Sequence, residues 1–176
     1  MARNFNSFLG LAEHLALVVE EQERVIHRSL DQAARLLKKN AKAKVGTYQD
    51  EAFPFPAWAE LADSTKEDRL RHGFTENDPG LRSGKMRDSI EHTVDDRNHL
   101  AAVGSDDDKL VYFELGTEKQ PPRSVLGSAA IESTEDILRI IGKNAVTALI
   151  GEEVAGGGLL TQAPADIATQ FDNDRA

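Results

Sequence analysis

Residues 111–130 read VYFELGTEKQPPRSVLGSAA, and this stretch decides how the rest of the chain folds. Its opening run, residues 111–115, is β-branched, aromatic and apolar around one acid, which predicts a short strand. Gly116 and Thr117 break that run, and Pro121-Pro122 then imposes an extended backbone, because proline lacks an N–H and disfavours helix in the residue before it. Helical spacing follows from residue 124 onward. The stretch therefore predicts a strand, a stiff loop and a helix start in immediate succession, which suits an assembly element.

Two long helices are predicted on either side of that stretch. Residues 7–44 carry apolar side chains three and four positions apart, with Asn6 or Ser7 as a cap and Gly46 as a stop. At 1.5 Å per residue this helix spans roughly 55 Å, more than one small domain covers. We therefore expect part of it to project or to pack on a neighbouring subunit, the alternative being that it lies across its own sheet. Residues 125–150 predict the second helix by the same spacing.

Three short strands are predicted between the helices, at residues 90–95, 99–105 and 110–115, with an acidic hairpin tip at residues 106–108. Such short connections favour an antiparallel meander. The predicted fold class is α+β, with a long N-terminal helix and a second long helix packed on a small antiparallel β-sheet. Three regions follow: the long helix (1–46), an α+β core (47–150) and a flexible C-terminal arm (151–176). The arm follows three glycines and is expected to order on a partner, or to be a disordered tail.

Composition excludes several classes of function. With 21 basic and 30 acidic residues the net charge is −9, which opposes free-standing binding to duplex DNA. The chain has no cysteine, so disulfides and thiolate chemistry are absent. No apolar run approaches about 20 residues, so no membrane span is expected, and the first ten residues resemble no secretory signal.

No group of residues predicts catalysis, a metal site or a cofactor site. The five histidines are scattered, and none has the helical ligand spacing that zinc hydrolases require. His92 and His99 could face each other across a hairpin, but they are better explained as partly exposed strand residues. Ser89, Glu91 and His92 are the right types for a nucleophile set, yet their side chains diverge on a strand. We therefore expect no enzyme activity, no metal and no cofactor.

The candidate functional residues are instead candidates for a subunit interface. Trp58 follows FPFPA and is either a core anchor or an interface hot spot. Glu114 lies inside the predicted strand and either is exposed or pairs with Arg123, within the chain or between subunits. Arg82, Lys85 and Arg87 form a basic patch that is either a solvated face, a contact with an acidic neighbouring subunit, or a DNA contact. The predicted interface comprises Trp58, Glu114, Gly116, Thr117, Pro121, Pro122 and Arg123.

The order of these motifs resembles a known family. Tyr112-Phe113-Glu114-Leu115-Gly116-Thr117 fits (Y/F)-x-E-x-G-T and is followed by Pro121-Pro122-Arg123, which fits P-x-R, and by a helix that opens with small residues. Upstream come Trp58, Leu61, Thr65, Lys66, Leu81-Arg82-Ser83-Gly84, Met86 and Ser89-Ile90, where Met86 replaces the usual Leu. This series, over residues 55 to 150, resembles the tail-completion and head–tail joining (neck) proteins of tailed bacteriophages, including the Mu-type phage virion morphogenesis family.

That resemblance implies a structural virion protein, assembled in the host cytoplasm, which forms a homo-oligomeric ring at the head–tail junction. It implies a hexamer that contacts other neck proteins and the tail tube or terminator protein, with DNA passing through without specific binding. Two other functions stay open. One is a helical adaptor outside any virion that acts as a dimer, although the heptad pattern is not sustained. The other is a small hydrolase, which the lack of a nucleophile set disfavours.

Overall fold

The computed structural model describes residues 7–150 and places two long helices against a β-hairpin and a group of short helices. The predicted α+β fold is confirmed, since both long helices pack with a small antiparallel sheet. The predicted C-terminal arm, residues 151–176, lies outside the described residues. In chain order the elements are α1 (Phe8–Lys44), α2 (Asp63–Arg71), α3 (Lys85–Asp88), β1 (Glu91–Asp95), β2 (Leu100–Gly104), α4 (Asp108–Leu115) and α5 (Leu126–Ile150).

Helix α1 begins and ends where the sequence predicts. The side chain of Ser7 accepts a hydrogen bond from the backbone N–H of Gly10 at 3.1 Å, which caps the first turn. After Lys44 the backbone becomes extended, and Gly46 adopts a φ of +102°, a value that glycine reaches at low cost. Its N–H then donates to the carbonyl of Pro79 at 2.8 Å, so the chain leaves the helix in a fixed direction.

Helices α1 and α5 lie antiparallel along each other. A row of polar contacts joins the two helices, and later residues of α1 contact earlier residues of α5. The two helices therefore run in opposite directions. Those contacts are Asn144 with Ser29 (3.0 Å), Asn40 with Ser133 (2.9 Å) and Lys44 with Glu132 (2.7 Å). Near the start of α1, by contrast, Phe8, Leu9 and Val19 remain exposed. Helix α1 therefore carries apolar side chains that residues 7–150 leave exposed.

The β-hairpin lies on α1 and is held there by ionic contacts. Strands β1 and β2 pair along their whole length, with His92 opposite Val103. The face that carries His92 and Val94 is half-buried, while the alternate residues of β1 are exposed. The contacts with α1 are His27 with Asp96, Asp31 with His92 (3.2 Å), and Lys38 and Lys42 with Glu91 (3.0 and 3.2 Å). His92 and His99 do not face each other, because His99 lies in the turn near Glu23.

The third predicted strand is wrong, because residues 108–115 form helix α4 and the described sheet has two strands. The side chain of Asp107 accepts a hydrogen bond from the N–H of Lys109 at 3.0 Å and caps this helix. The acidic run predicted as a hairpin tip is therefore a helix start. Helical spacing also places Leu110 and Phe113 together in the core, whereas a strand would have turned them to opposite faces.

The core gathers side chains from the end of α1, from α3 and α4, from the start of α5, and from the segments before α2 and β1. Trp58 meets Phe113 edge to face with ring centroids 5.3 Å apart, a favoured geometry for aromatic pairs. The other buried members are Ala41, Val45, Met86, Ile90, Leu110, Val125 and Ala129. Helix α4 contributes Leu110 and Phe113, and the start of α5 contributes Val125 and Ala129. The core therefore holds both ends of the connection between α4 and α5.

We expect the attachment of the hairpin to weaken in acid. Hydrogen bonds from Arg35 and then His92 lower the pKa of Asp31, and those from Lys38 and Lys42 lower the pKa of Glu91. A carboxylate with a lowered folded-state pKa adds stability above its unfolded pKa of about 4, and that stability is lost as the pH falls through the folded value.

Asp31→Asn should therefore lower the melting temperature at pH 7 and reduce the further loss between about pH 5 and pH 2, followed by circular dichroism. The matched control is Asp50→Asn, because Asp50 is exposed and has no ion pair in the described structure. If both variants melted like the unmodified chain at every pH, the ionic attachment of the hairpin would be contradicted.

Candidate interaction site at the connection between α4 and α5

Glu114, in the last turn of α4, caps the start of α5. One carboxylate oxygen accepts from the N–H groups of Val125 and Leu126 at 2.6 and 2.9 Å. The other accepts from the hydroxyl of Ser124 at 2.6 Å and from the N–H of Gly127 at 2.9 Å. The first N–H groups of a helix have no partner inside the helix, and a negative charge there also complements the helix dipole. A side chain from one helix thus fixes the beginning of the next.

This geometry corrects the prediction for Glu114. It is neither exposed without a partner nor paired with Arg123 within the chain, because its two oxygens are occupied by the start of α5. The approach requires glycine at position 127, where a Cβ would lie 3.1 Å from the Glu114 carboxylate and 2.5 Å from the ring of Phe55. Sequence reasoning missed the cap, since Glu114 reaches the helix across a loop rather than from a neighbouring position.

The loop between α4 and α5 is a tight turn. Gly116 has a φ of +77°, and a Cβ there would lie 2.8 Å from the backbone nitrogen of Pro122. Thr117 and Gln120 exchange backbone hydrogen bonds at 2.8 and 3.2 Å, which closes the turn. The bend predicted from Gly116 and the two prolines is therefore present, with Thr117, Pro121 and Pro122 exposed at its outer side.

Arg123 and Trp58 lie inside the molecule. Arg123 is 3% exposed, and its guanidinium donates to the carbonyls of Ala59 (2.8 and 3.1 Å) and Glu60 (3.2 Å). Burial lowers the pKa of Arg123, because removal from water disfavours its charged form. Trp58 donates from its indole N–H to the carbonyl of Ser124 at 3.3 Å and belongs to the core, which agrees with the core-anchor alternative. These two side chains hold the connection from within.

Helix α4 presents an apolar outer face that the strand prediction did not anticipate. Val111, Tyr112 and Leu115 are exposed by 51%, 56% and 74% of their surfaces. They follow helical spacing, so they share one side of α4 while Leu110 and Phe113 occupy the other. We call these three residues the α4 outer face. Together with Thr117 and the two prolines, it forms a rigid and partly apolar surface next to the tight turn.

Ser89 and His92, considered above as members of a nucleophile set, bond to different partners. The hydroxyl of Ser89 bonds to the carbonyl of Met86 and to the hydroxyl of Ser105, while the ring of His92 turns to Asp31 on α1. No group of three or more histidine and carboxylate residues in this range is placed to hold a metal ion. What the described site can do is present a stiff surface to another molecule.

Comparison with known proteins adds no assignment to this geometry. The chain matches no protein-family model, no curated protein and no solved structure. Within the described residues, none of the helices is long and apolar enough to cross a membrane. The described residues form an α+β fold with an exposed, partly apolar surface around the connection between α4 and α5.

Removal of the cap should destabilise the whole connection. Glu114→Ala leaves the N–H groups of Val125, Leu126 and Gly127 without their acceptor, and we expect a loss of about 2 to 4 kcal/mol in the free energy of unfolding, measured with urea. Glu114→Gln keeps one acceptor oxygen, so its free energy of unfolding should lie between those of the unmodified chain and Glu114→Ala. Glu118→Ala is the matched control, because Glu118 is exposed in the same loop without a partner in the described structure. Equal stability of the Glu114 and Glu118 alanine variants would contradict the cap.

Proposed function

We propose that this chain is a structural subunit of the neck of a tailed-phage virion. Copies of it form a ring at the head–tail junction and join or complete the tail around the DNA channel. The observation that carries the proposal is that the motif residues of the resemblance share one structural role. Glu114 caps α5, Gly116 permits the turn, and Arg123 anchors the loop to the segment after Trp58. A motif used to hold one exposed connection rigid suits a protein whose work is docking.

The surface around that connection supports assembly between copies. Val111, Tyr112 and Leu115 expose apolar area next to the tight turn, where a partner would bury it. A contact between two different surfaces of identical subunits closes into a ring when the rotation between them allows. The resemblance implies six copies, and it implies further contacts with other neck proteins and with the tail tube or terminator protein.

Two further features agree with a ring around DNA. In the described sheet, β1 and β2 each have one unpaired edge, which a neighbouring subunit would protect from unwanted strand pairing. The net charge of −9 suits a channel through which DNA slides without sticking, because like charges repel. The exposed apolar residues near the start of α1, Phe8, Leu9 and Val19, are placed to reach a neighbour.

Deletion of the coding sequence from the phage genome that carries it tests this function. Electron microscopy of the lysate should show filled heads and finished tails that remain separate, and a plasmid copy should restore complete particles. Intact particles without the chain, or its absence from purified virions by mass spectrometry, would contradict the proposal. A map of the assembled junction with a strongly basic channel wall formed by this chain would contradict the proposed passage of DNA.

A substitution on the α4 outer face sharpens this test. Leu115→Glu places a charge on a residue that is 74% exposed, so the monomer should keep its melting temperature while complementation falls. Leu138→Glu is the matched control, because Leu138 is 63% exposed on α5, away from the turn. Equal numbers of complete particles from both variants would show that the α4 outer face takes no part in joining.

A further inference from the structure

A cationic concavity opens beside α4, where residues of α2, α3 and the loop before α5 meet. Its volume is about 370 Å³, and its lining carries five cationic side chains and no carboxylate. The chain as a whole has more acids than bases, so this concentration of positive charge runs against its composition. The cationic residues are Arg69, Arg82, Lys85, Lys109 and Arg123.

Two of these cations are buried and form no ion pair in the described structure. Arg69 is 4% exposed and donates to the carbonyls of Thr75 and Leu81 at 2.6 and 2.8 Å. The guanidinium of Arg123 likewise donates to carbonyl oxygens, and it lies over the ring of Phe113 at 5.7 Å from the centroid. Carbonyls satisfy the N–H groups but carry only partial charge, so both guanidinium charges remain without a counter-charge. Because these side chains are fixed, they create a permanent positive potential in the concavity.

The rim adds three more cations, of which Arg82 pairs with Asp68 at 3.0 Å and the two lysines have little to bind. The ammonium of Lys85 has no partner in residues 7–150, and that of Lys109 lies 3.9 Å from Asp107. The side-chain amide nitrogen of Gln120, buried in the same lining, has no acceptor among the described residues. Cations and N–H donors around one small space call for a ligand with charged oxygen atoms, and a carboxylate fits this description. The volume admits side chains but not a DNA duplex.

We propose that this concavity receives carboxylate side chains from a second copy of the chain. Charge complementarity favours this occupant, because each copy carries exposed acids without an ion pair in the described structure, such as Asp50, Glu51 and Glu135. Tyr112 lines the concavity and belongs to the α4 outer face, so apolar and ionic contacts would adjoin. Tyrosine and arginine are the residue types most enriched among strongly contributing interface residues.

An acidic surface that lies away from the concavity makes the contact heterologous, because two different patches then meet without a reciprocal contact. Repetition of such a contact builds a ring or a filament rather than an isolated dimer. The inference rests on the proposed assembly of copies and names one half of their interface. It develops the alternative in which the basic patch at Arg82, Lys85 and Arg87 contacts an acidic neighbour. Arg87 pairs with Asp88 at 3.0 Å and lies outside the lining, while Arg69, Lys109 and Arg123 belong to it.

Sedimentation velocity of the full chain at low salt tests the inference. The unmodified chain should self-associate, and added salt should weaken the association because it screens the ionic contacts. Lys85→Glu with Lys109→Glu should weaken it at least about tenfold while the melting temperature stays unchanged. Lys39→Glu with Lys143→Glu is the matched control, with the same change in net charge at two exposed lysines outside the concavity.

Carbodiimide coupling identifies the partner residues, because it joins an amine to a carboxylate only where they touch. In a mixture of isotopically light and heavy chains, Lys85 and Lys109 should couple to carboxylates of the other copy, and Lys39 and Lys143 should not. The inference is overturned if the chain stays monomeric at about 1 mM and low salt, if both double variants associate equally, or if coupling between copies avoids the concavity.

These results are separable from the virion function. Self-association through the concavity together with normal particles after gene deletion would refute the neck function and leave this interface intact. Separate heads and tails after deletion, with no association through the concavity, would support the neck function and refute this interface. A third result is that inorganic phosphate protects the amines of Lys85 and Lys109 from chemical modification in a chain that remains monomeric. That result would assign the concavity to another anion and would overturn the proposal that a second copy occupies it.

Discussion

The carboxylate of Glu114 is the interaction on which the rest of the structure depends. It accepts four hydrogen bonds from residues 124–127 and so joins the end of α4 to the start of α5. Through Phe113, α4 reaches the core beside Trp58, and through its polar contacts α5 is set along α1. One charged side chain therefore helps to set the positions of both short and long helices, because it accepts from the N–H groups of residues 125–127, while the hydroxyl oxygen of Ser124 accepts from the N–H of Ser128 at 3.0 Å.

The hydrogen bonds of this carboxylate restrict which residues can lie around it. Two glycines are needed, one at position 116 for a left-handed backbone beside Pro122 and one at position 127 for close approach of the cap. Arg123 then secures the loop to backbone carbonyls, and the N–H of Arg123 bonds to the carbonyl of Phe113 at 2.8 Å. The connection is rigid for this reason, and rigidity is what a docking surface needs, because little conformational entropy is lost when a partner binds.

Much of the fold could be predicted from the sequence, and the failures have physical causes. Helix α1 was predictable because its periodicity is long and Ser7 and Gly46 mark its ends. Helix α4 was not, since a short apolar run does not distinguish a strand from a helix, and an acidic run such as residues 106–108 is as typical of a turn as of a helix cap. The sequence indicates that Glu114 needs a partner but does not predict the start of α5 as that partner, because a cap supplied across a loop leaves no spacing pattern. The sequence predicts only Arg82 and Lys85 of the cationic concavity, because the other cations that line it come close to them only in the folded chain.

Amide hydrogen exchange of Val125, Leu126 and Gly127, followed by NMR, tests the central role of Glu114 most directly. The first amides of a helix ordinarily exchange quickly, since they have no partner within the helix. If Glu114 holds them, all three should be protected to the same degree as the core amide of Ala129, which bonds to the carbonyl of Val125. Exchange at the rate of exposed amides such as that of Glu118 would contradict the cap and with it the rigid connection.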